Sequence, residues 1–171
     1  MSKANITRTL CLVKPDGVRR GLTGDILSRF ERAGLRIVGL KLLVPTDEIA
    51  RKHYRYEDIA VRHGEDVWNR LVSFLCSGPV VAFVLEGVDV VPVVRKMCGS
   101  TEPAASPPGT IRGDFCHHTY EYTNLKQGSV RNLIHASATD EEADYEISVW
   151  FEPSELVSYK KADHAEHFLD E

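Results

Sequence analysis

Arg131-Asn132-Leu133-Ile134-His135-Ala136-Ser137, followed by the acidic run Thr139 to Glu146, is the stretch around which the chain is organised. It sets one imidazole on a short apolar strand, with Asn132 and Ser137 close by. Thr139 to Glu142 reads Thr-x-x-Glu, a capping box that opens a helix at once. On that helix Ala143, Ile147 and Trp150 stand at i, i+4 and i+7, the spacing of a core-facing stripe. Glu146, at i+3 from Ala143, falls on the same stripe, where a carboxylate is costly unless paired. His135 is a natural partner, and an imidazole oriented by a carboxylate is the layout of a nucleophile or general base. A core histidine satisfied by a core glutamate is the bland alternative, so the rest of the chain decides.

Upstream, Thr7 to Val13 is an apolar run ending in Lys14-Pro15-Asp16-Gly17, a strand entering a turn. Leu22, Ile26, Leu27, Phe30 and Ala33 form a helical stripe that stops at Gly34. Leu35 to Val44 reads as a long strand, apolar enough to be central in its sheet. Pro45-Thr46-Asp47-Glu48 marks a helix N-terminus, acidic in its first turn, and this helix carries Tyr54. Arg55 to Glu65 is polar and reads as irregular; Val67, Trp68, Leu71, Val72 and Leu75 then give an amphipathic helix. Val80 to Glu86 reads as a buried strand, and Asp89 to Met97 as a helix with Val90, Val93, Val94 and Met97 inward. Gly99 to Gly109 is a loop stiffened by three prolines, and loops of that length are usually functional or disordered. His117 to Gly128 is polar enough for an exposed excursion, and a polar tail runs on from Glu152.

The element order β-α-β-α-α-β-α-loop-β-α predicts an α+β fold of the ferredoxin-like, split βαβ plan. That plan is a four-stranded antiparallel sheet with helices on one face. A chain of 171 residues suits one domain, with a core over about 7–159 and a tail over 160–171. At 43% hydrophobic and 27% charged residues, the composition is that of an ordinary globular chain. The longest apolar run, Val80 to Leu85, is too short to span a bilayer. A net charge of −4 gives no reason to expect nucleic acid or an anionic membrane as partner. Cys11, Cys76, Cys98 and Cys116 form no Cys-x-x-Cys pair, which argues against zinc and disulfides and fits a cytoplasmic location. Neither Gly-x-x-x-x-Gly-Lys nor Gly-x-Gly-x-x-Gly occurs.

Lys14 at a strand end, Arg95 in a last helical turn and Arg112 after a rigid loop each have a bland explanation. Together with hydroxyls on loops and one imidazole, they make an inventory suited to a polyphosphate.

Six collinear blocks resemble the nucleoside diphosphate kinase family. They are Lys14-Pro15-Asp16-Gly17-Val18 with Arg19-Arg20-Gly21; Ser77-Gly78-Pro79-Val80-Val81; Thr101-Glu102-Pro103; Pro108 to Phe115; Asn132 to Ser137; and Glu146 to Phe151. The resemblance runs from about Thr7 to Tyr159. It implies a ping-pong transfer of the γ-phosphate of a nucleoside triphosphate, mainly ATP, to a nucleoside diphosphate through a phosphohistidine on His135. It implies further that Lys14 and Asn132 bind the ribose 3′-hydroxyl region and nearby phosphate oxygens. Arg95, Thr101 and Arg112 would hold the terminal phosphates, and Tyr54 would hydrogen-bond near the transferred group. Glu146 would fix the tautomer of His135, supported by Ser137. Mg2+ would ride on the nucleotide phosphates, with no dedicated protein site.

The chain departs from the family pattern in four places. Ala138 stands where most members have Asp, and Ala136 where Gly is common. The segment after Tyr54 is lengthened, so the position of the family's base-stacking Phe falls on Val67 or Trp68, with Leu71 on the same nucleotide-clamping helix. The segment between Phe115 and Arg131 is also lengthened; its His117 and His118 read as surface residues, as do His164 and His167 in the tail. A catalytically silent nucleotide-binding protein on the same fold is the rival reading, and the full polar inventory favours the enzyme. A phosphohistidine hydrolase would need a water-activating group that is not evident. The family implies a homo-oligomer, tetramer or hexamer, and a tail over Glu152 to Glu171 long enough to reach a neighbour favours the hexamer.

Overall fold

The computed structural model describes residues 5–168. Strands β1 (Ile6–Val13), β2 (Arg36–Leu43), β3 (Val80–Val88) and β4 (Ile134–Ala136) form one antiparallel sheet in the order β2-β3-β1-β4. The split βαβ plan read from the sequence is therefore the fold. The helices in chain order are α1 (Pro15–Arg19), α2 (Thr23–Arg32), α3 (Asp47–His53), α4 (Tyr56–His63) and α5 (Glu65–Leu75). There follow α6 (Val90–Cys98), α7 (Ile111–Phe115), α8 (Tyr120–Leu125), α9 (Asp140–Trp150) and α10 (His164–Phe168).

Both faces of the sheet are covered, where the sequence predicts helices on one. Cys11, Val13, Phe83 and Leu85 pack with Ile26, Phe30, Val94 and Ile111 from α2, α6 and α7. Leu10, Leu12, Ala82 and Val84 pack with Ala50, Ala60, Trp68 and Trp150 from α3, α4, α5 and α9. The unbroken apolar runs of β1 and β3 are what two buried faces require, because successive side chains point to opposite sides.

Several local expectations need correction. β2 is an edge strand and not central: it pairs with β3 alone, and Leu40, Leu42 and Val44 are exposed. Apolar composition marks burial, but a surface beyond the sheet edge produces the same run. The segment read as irregular after Tyr54 contains α4, whose composition is polar because Ala60 is its one buried residue; Gly64, at φ 91, separates it from α5. Val93 of α6 points outward while Val90, Val91, Val94 and Cys98 are buried, and the helix starts at Val90, after the left-handed Asp89. Lys14-Pro15-Asp16-Gly17 opens α1, the proline loop contains the turn Pro103–Ala105, and the polar excursion contains α8.

The tail folds back on its own chain as far as Phe168. Val157 N donates to Val38 O, Tyr159 Oη donates to Ile37 O, and Arg36 lies over the Phe168 ring. His164 is buried against the Phe168 ring instead of lying on the surface, whereas His167 remains exposed. The four cysteines are free thiols, and no described helix is long and apolar enough to cross a membrane.

Candidate active site

His135 lies on β4 opposite Leu12 of β1, and Lys14 follows one residue beyond the end of β1. Ser137 is anchored there as well, its N–H donating to Leu10 O. Helix α9 begins where the sequence predicts. Thr139 Oγ1 accepts from Glu142 N, while the Glu142 carboxylate reaches Ala138 N, so the reciprocal half of the capping box lands one residue early. This start phases Glu146 inward, where it is 2% exposed.

The Nε2 of His135 lies 2.8 Å and 2.9 Å from the two carboxylate oxygens of Glu146, and Ser137 Oγ donates to the same carboxylate at 2.6 Å. A carboxylate accepts only, so Nε2 carries the proton and the neutral ring keeps its lone pair on Nδ1. Burial holds His135 well below the ordinary imidazole range, with the Glu142 carboxylate pulling the other way. Burial likewise raises Glu146, opposed by His53 and the Ser137 bond.

A second histidine completes this layer. His53, at the end of α3, packs its ring nearly perpendicular to that of His135 with the ring centroids 4.4 Å apart, and its Nδ1 lies 3.4 Å from Glu146. Trp150 Nε1 donates to that Nδ1, and burial pushes His53 down to about 3. His53 is thus neutral, and its closeness to Glu146 is packing and not an ion pair. Among the described residues, His53, His135 and Glu146 also form the one group whose ligand atoms lie within 4.8 Å of one another, although hydrogen bonds already engage those atoms. The sequence reading missed His53. Its adjacency to Tyr54 at a helix end was the available signal.

In front of His135 opens a cavity of about 210 Å³ lined by Lys14, Tyr54, Arg95, Thr101, Arg112 and Asn132. Leu71 and Glu142 also border it. Lys14 Nζ donates to Asn132 Oδ1 at 2.8 Å, and Asn132 Nδ2 donates to Thr101 O at 2.8 Å. Burial brings Lys14 down to about 8. Arg112 spends Nε, Nη1 and Nη2 on the carbonyls of Asn132, Gly99 and Ile134, which leaves a second N–H on each terminal nitrogen. Burial raises Tyr54, so its phenol stays a donor at neutral pH. Leu133, at φ 66, joins the set through a tight turn in which Ile134 N donates to Asn132 O. Such backbone costs about 1–3 kcal/mol and is held here by a fully buried side chain. The kink turns Asn132 toward Lys14 while His135 stays in the sheet.

Beyond Leu71, Thr101 and Val130 a second cavity of about 550 Å³ adjoins the first, and Val67 lines it. Trp68 borders neither: it is buried, donating Nε1 to Tyr54 O, with its ring against Tyr56. The structure thus brings every residue singled out from the sequence to the cavities or directly behind them, except Trp68.

A partly exposed imidazole, oriented by a buried carboxylate and facing a cationic cavity on a split βαβ sheet, is an arrangement suited to phosphoryl transfer. Comparison with known proteins is specific. The family model for nucleoside diphosphate kinase matches residues 7–156. The nucleoside diphosphate kinase of Borreliella burgdorferi is 53% identical over 163 residues, covering 95% of this chain and 98% of that protein. Nucleoside diphosphate kinase A of Rattus norvegicus is 48% identical, covering 92% and 93%. A transition state mimic of the Borrelia burgdorferi enzyme, with bound vanadate and ADP, superimposes with a TM-score of 0.94 at 53% identity, covering 95% of this chain and 97% of that one. The halophilic enzyme of Halobacterium salinarum in complex with CDP gives a TM-score of 0.80 at 39% identity, covering 94% and 97%. The chain belongs to the nucleoside diphosphate kinase family.

Proposed function

We propose that His135 is the nucleophile of a ping-pong nucleoside diphosphate kinase, with ATP as the main donor. The observation that carries this is the Ser137–Glu146–His135 chain behind a cavity of Lys14, Arg95 and Arg112. Nδ1 attacks the γ-phosphorus, the bond to the bridging oxygen breaks, and the electron pair leaves on the diphosphate. The ring becomes cationic as phosphate transfers, and Glu146 meets that charge at Nε2. An acceptor diphosphate then takes the phosphoryl group from Nδ1 and restores the neutral imidazole.

Lys14, Arg95 and Arg112 offset charge on the transferring group, the kind of positioning on which phosphoryl transfer depends. Lys14 and Asn132 hold the ribose hydroxyl region, Thr101 a terminal phosphate, and Tyr54 donates near the moving phosphoryl. Val67 and Leu71 meet the base. The cavity wall carries Lys14, Arg95 and Arg112, which suits phosphates and not a metal cage, so Mg2+ would be held by the nucleotide's own phosphates and would supply further charge neutralisation there.

The same reading makes residues 7–159 one catalytic unit with 160–171 as its tail. It places the protein in the cytoplasm, in keeping with four free thiols. It also makes the protein a homo-oligomer, tetramer or hexamer, which the exposed apolar edge of β2 supports.

The test is intact mass after brief incubation with ATP and Mg2+, beside a His135→Ala control. One added phosphoryl group, absent from the control and removed by a nucleoside diphosphate, is expected. Nucleotide binding without any phosphoryl gain would favour a silent binding protein instead.

A further inference from the structure

The lengthened segment before Arg131 has no part in the chemistry above, yet it is built into the site. Ala104 N donates to His118 O, and Tyr120 N donates to the Glu102 carboxylate at 2.7 Å. These bonds tie the start of α8 to the loop that carries Thr101. Thr119 caps α8 by accepting from Tyr122 N, and Thr123 is buried with its hydroxyl donating to Thr119 O. At the other end Ser129 Oγ donates to Arg70 O of α5 at 2.9 Å, closing the floor between α8 and α5. The 550 Å³ cavity lies between these helices and opens onto the catalytic pocket at Leu71, Thr101 and Val130.

One wall of this cavity is aliphatic, made by Val67 and Leu71 one helical turn apart on α5. The facing wall is α8, where Tyr120 and Asn124 both line the cavity at i and i+4. An aliphatic wall opposite an aromatic ring and a side-chain amide suits a nucleobase: a face to stack on and an edge to bond. We propose that α8 is the second wall of the nucleobase site, with Tyr120 supplying the aromatic face and Asn124 the edge-reading amide. This rests on the kinase reading, because it places phosphates at His135 and the base on the far side of Thr101. Asn124 offers a donor and an acceptor side by side, the pattern that matches the N6/N7 edge of adenine. An aromatic brought in by α8 also does the work that an aromatic at Val67 would do on α5.

The experiment is the rate constant for phosphohistidine formation on the full chain with three donors: ATP, CTP and ribose 5-triphosphate, which has no base. Tyr120 and Asn124 are exposed, so Tyr120→Ala and Asn124→Ala leave the packed core intact. Stacking typically contributes about 1–3 kcal/mol per base, so Tyr120→Ala is expected to lower the rate constant about 10-fold with ATP and with CTP. It leaves the base-free donor within twofold of the unsubstituted protein, and Tyr120→Phe retains the rate with all three donors. Asn124→Ala is expected to lower ATP about 5-fold, the scale of one neutral hydrogen bond, and CTP less than twofold. Unchanged rates with ATP and CTP in both alanine variants would overturn the proposal. So would an equal loss with the base-free donor, or an equal loss of ATP and CTP in Asn124→Ala. If the unsubstituted protein forms no phosphohistidine with any donor, the kinase reading itself fails and α8 loses its role with it.

Discussion

Glu146 shows how a single side chain can be wrong for stability and right for chemistry. It is buried, and burial raises its carboxyl, so the folded chain carries an anion that it would hold more cheaply as an amide. The anion is needed only when His135 becomes cationic. Glu146→Gln is therefore expected to keep or raise Tm while slowing phosphohistidine formation about 100-fold, the scale of losing one preorganised charge. Parallel thermal melts and single-turnover assays check both halves. His53 and His135 act on stability in one direction. Each is held below its unfolded value of 6.5, so the unfolded chain binds more protons in the acid range and stability falls as pH drops below 6.5. Glu146, raised by burial, opposes with one group. The net loss between pH 6.5 and 5.0 is expected to be about 2 kcal/mol, read from urea midpoints, and His53→Gln is expected to flatten it. Lys14, brought down to about 8, sets the alkaline side. As pH rises through that value it loses its proton, and with the phosphate-holding role proposed for it kcat/KM is expected to decline above about pH 8 in a pH–rate profile.

At the scale of elements, the site depends on how tightly short segments are pinned. Helix α7 carries Arg112 and starts on Thr110, which caps Gly113 N. A Cβ at Gly113 would stand 2.1 Å from Pro107 O, with Thr110 Oγ1 at 2.8 Å. Gly113→Ala must therefore shift α7 away from the proline loop and take Arg112 off its three carbonyls. Overpacking of this kind typically costs about 1–3 kcal/mol, so a lower Tm is expected together with a raised KM for nucleotide. Calorimetry with steady-state kinetics checks both. The same scale explains which parts were legible in the sequence. Helix α9 was readable because capping, periodicity and a misplaced carboxylate all agreed over eight residues. β1 and β3 were readable as strands, though their two buried faces went unrecognised. α4 and α8 were not readable, because short helices with one buried residue each carry almost no hydrophobic period. They are ordered by tertiary contacts that no local pattern announces. His53 escaped notice for the same reason: its partners Glu146, Trp150 and His135 lie more than eighty residues away in sequence.

At the scale of the molecule, the asymmetry between the two sheet edges is the main feature. At one edge, β4 is only three residues long, carries His135 and is followed closely by α9. At the other, β2 presents Leu40, Leu42 and Val44 to solvent, each more than half exposed, beyond the point where Val157 closes on Val38. An unpaired strand edge bearing a row of large apolar side chains is a liability for a solitary chain. The tail covers the start of β2 but not this row, so a second copy of the chain is the fitting cover. Leu42→Lys places a charge in the middle of the row without touching β3 or the core. It is expected to lower the mass seen by sedimentation and to make Tm depend on protein concentration. The rate of phosphohistidine formation per folded chain should change little, because His135 and its cavity lie at the opposite edge of the sheet. An unchanged mass would mean that this row is not the seat of a second copy.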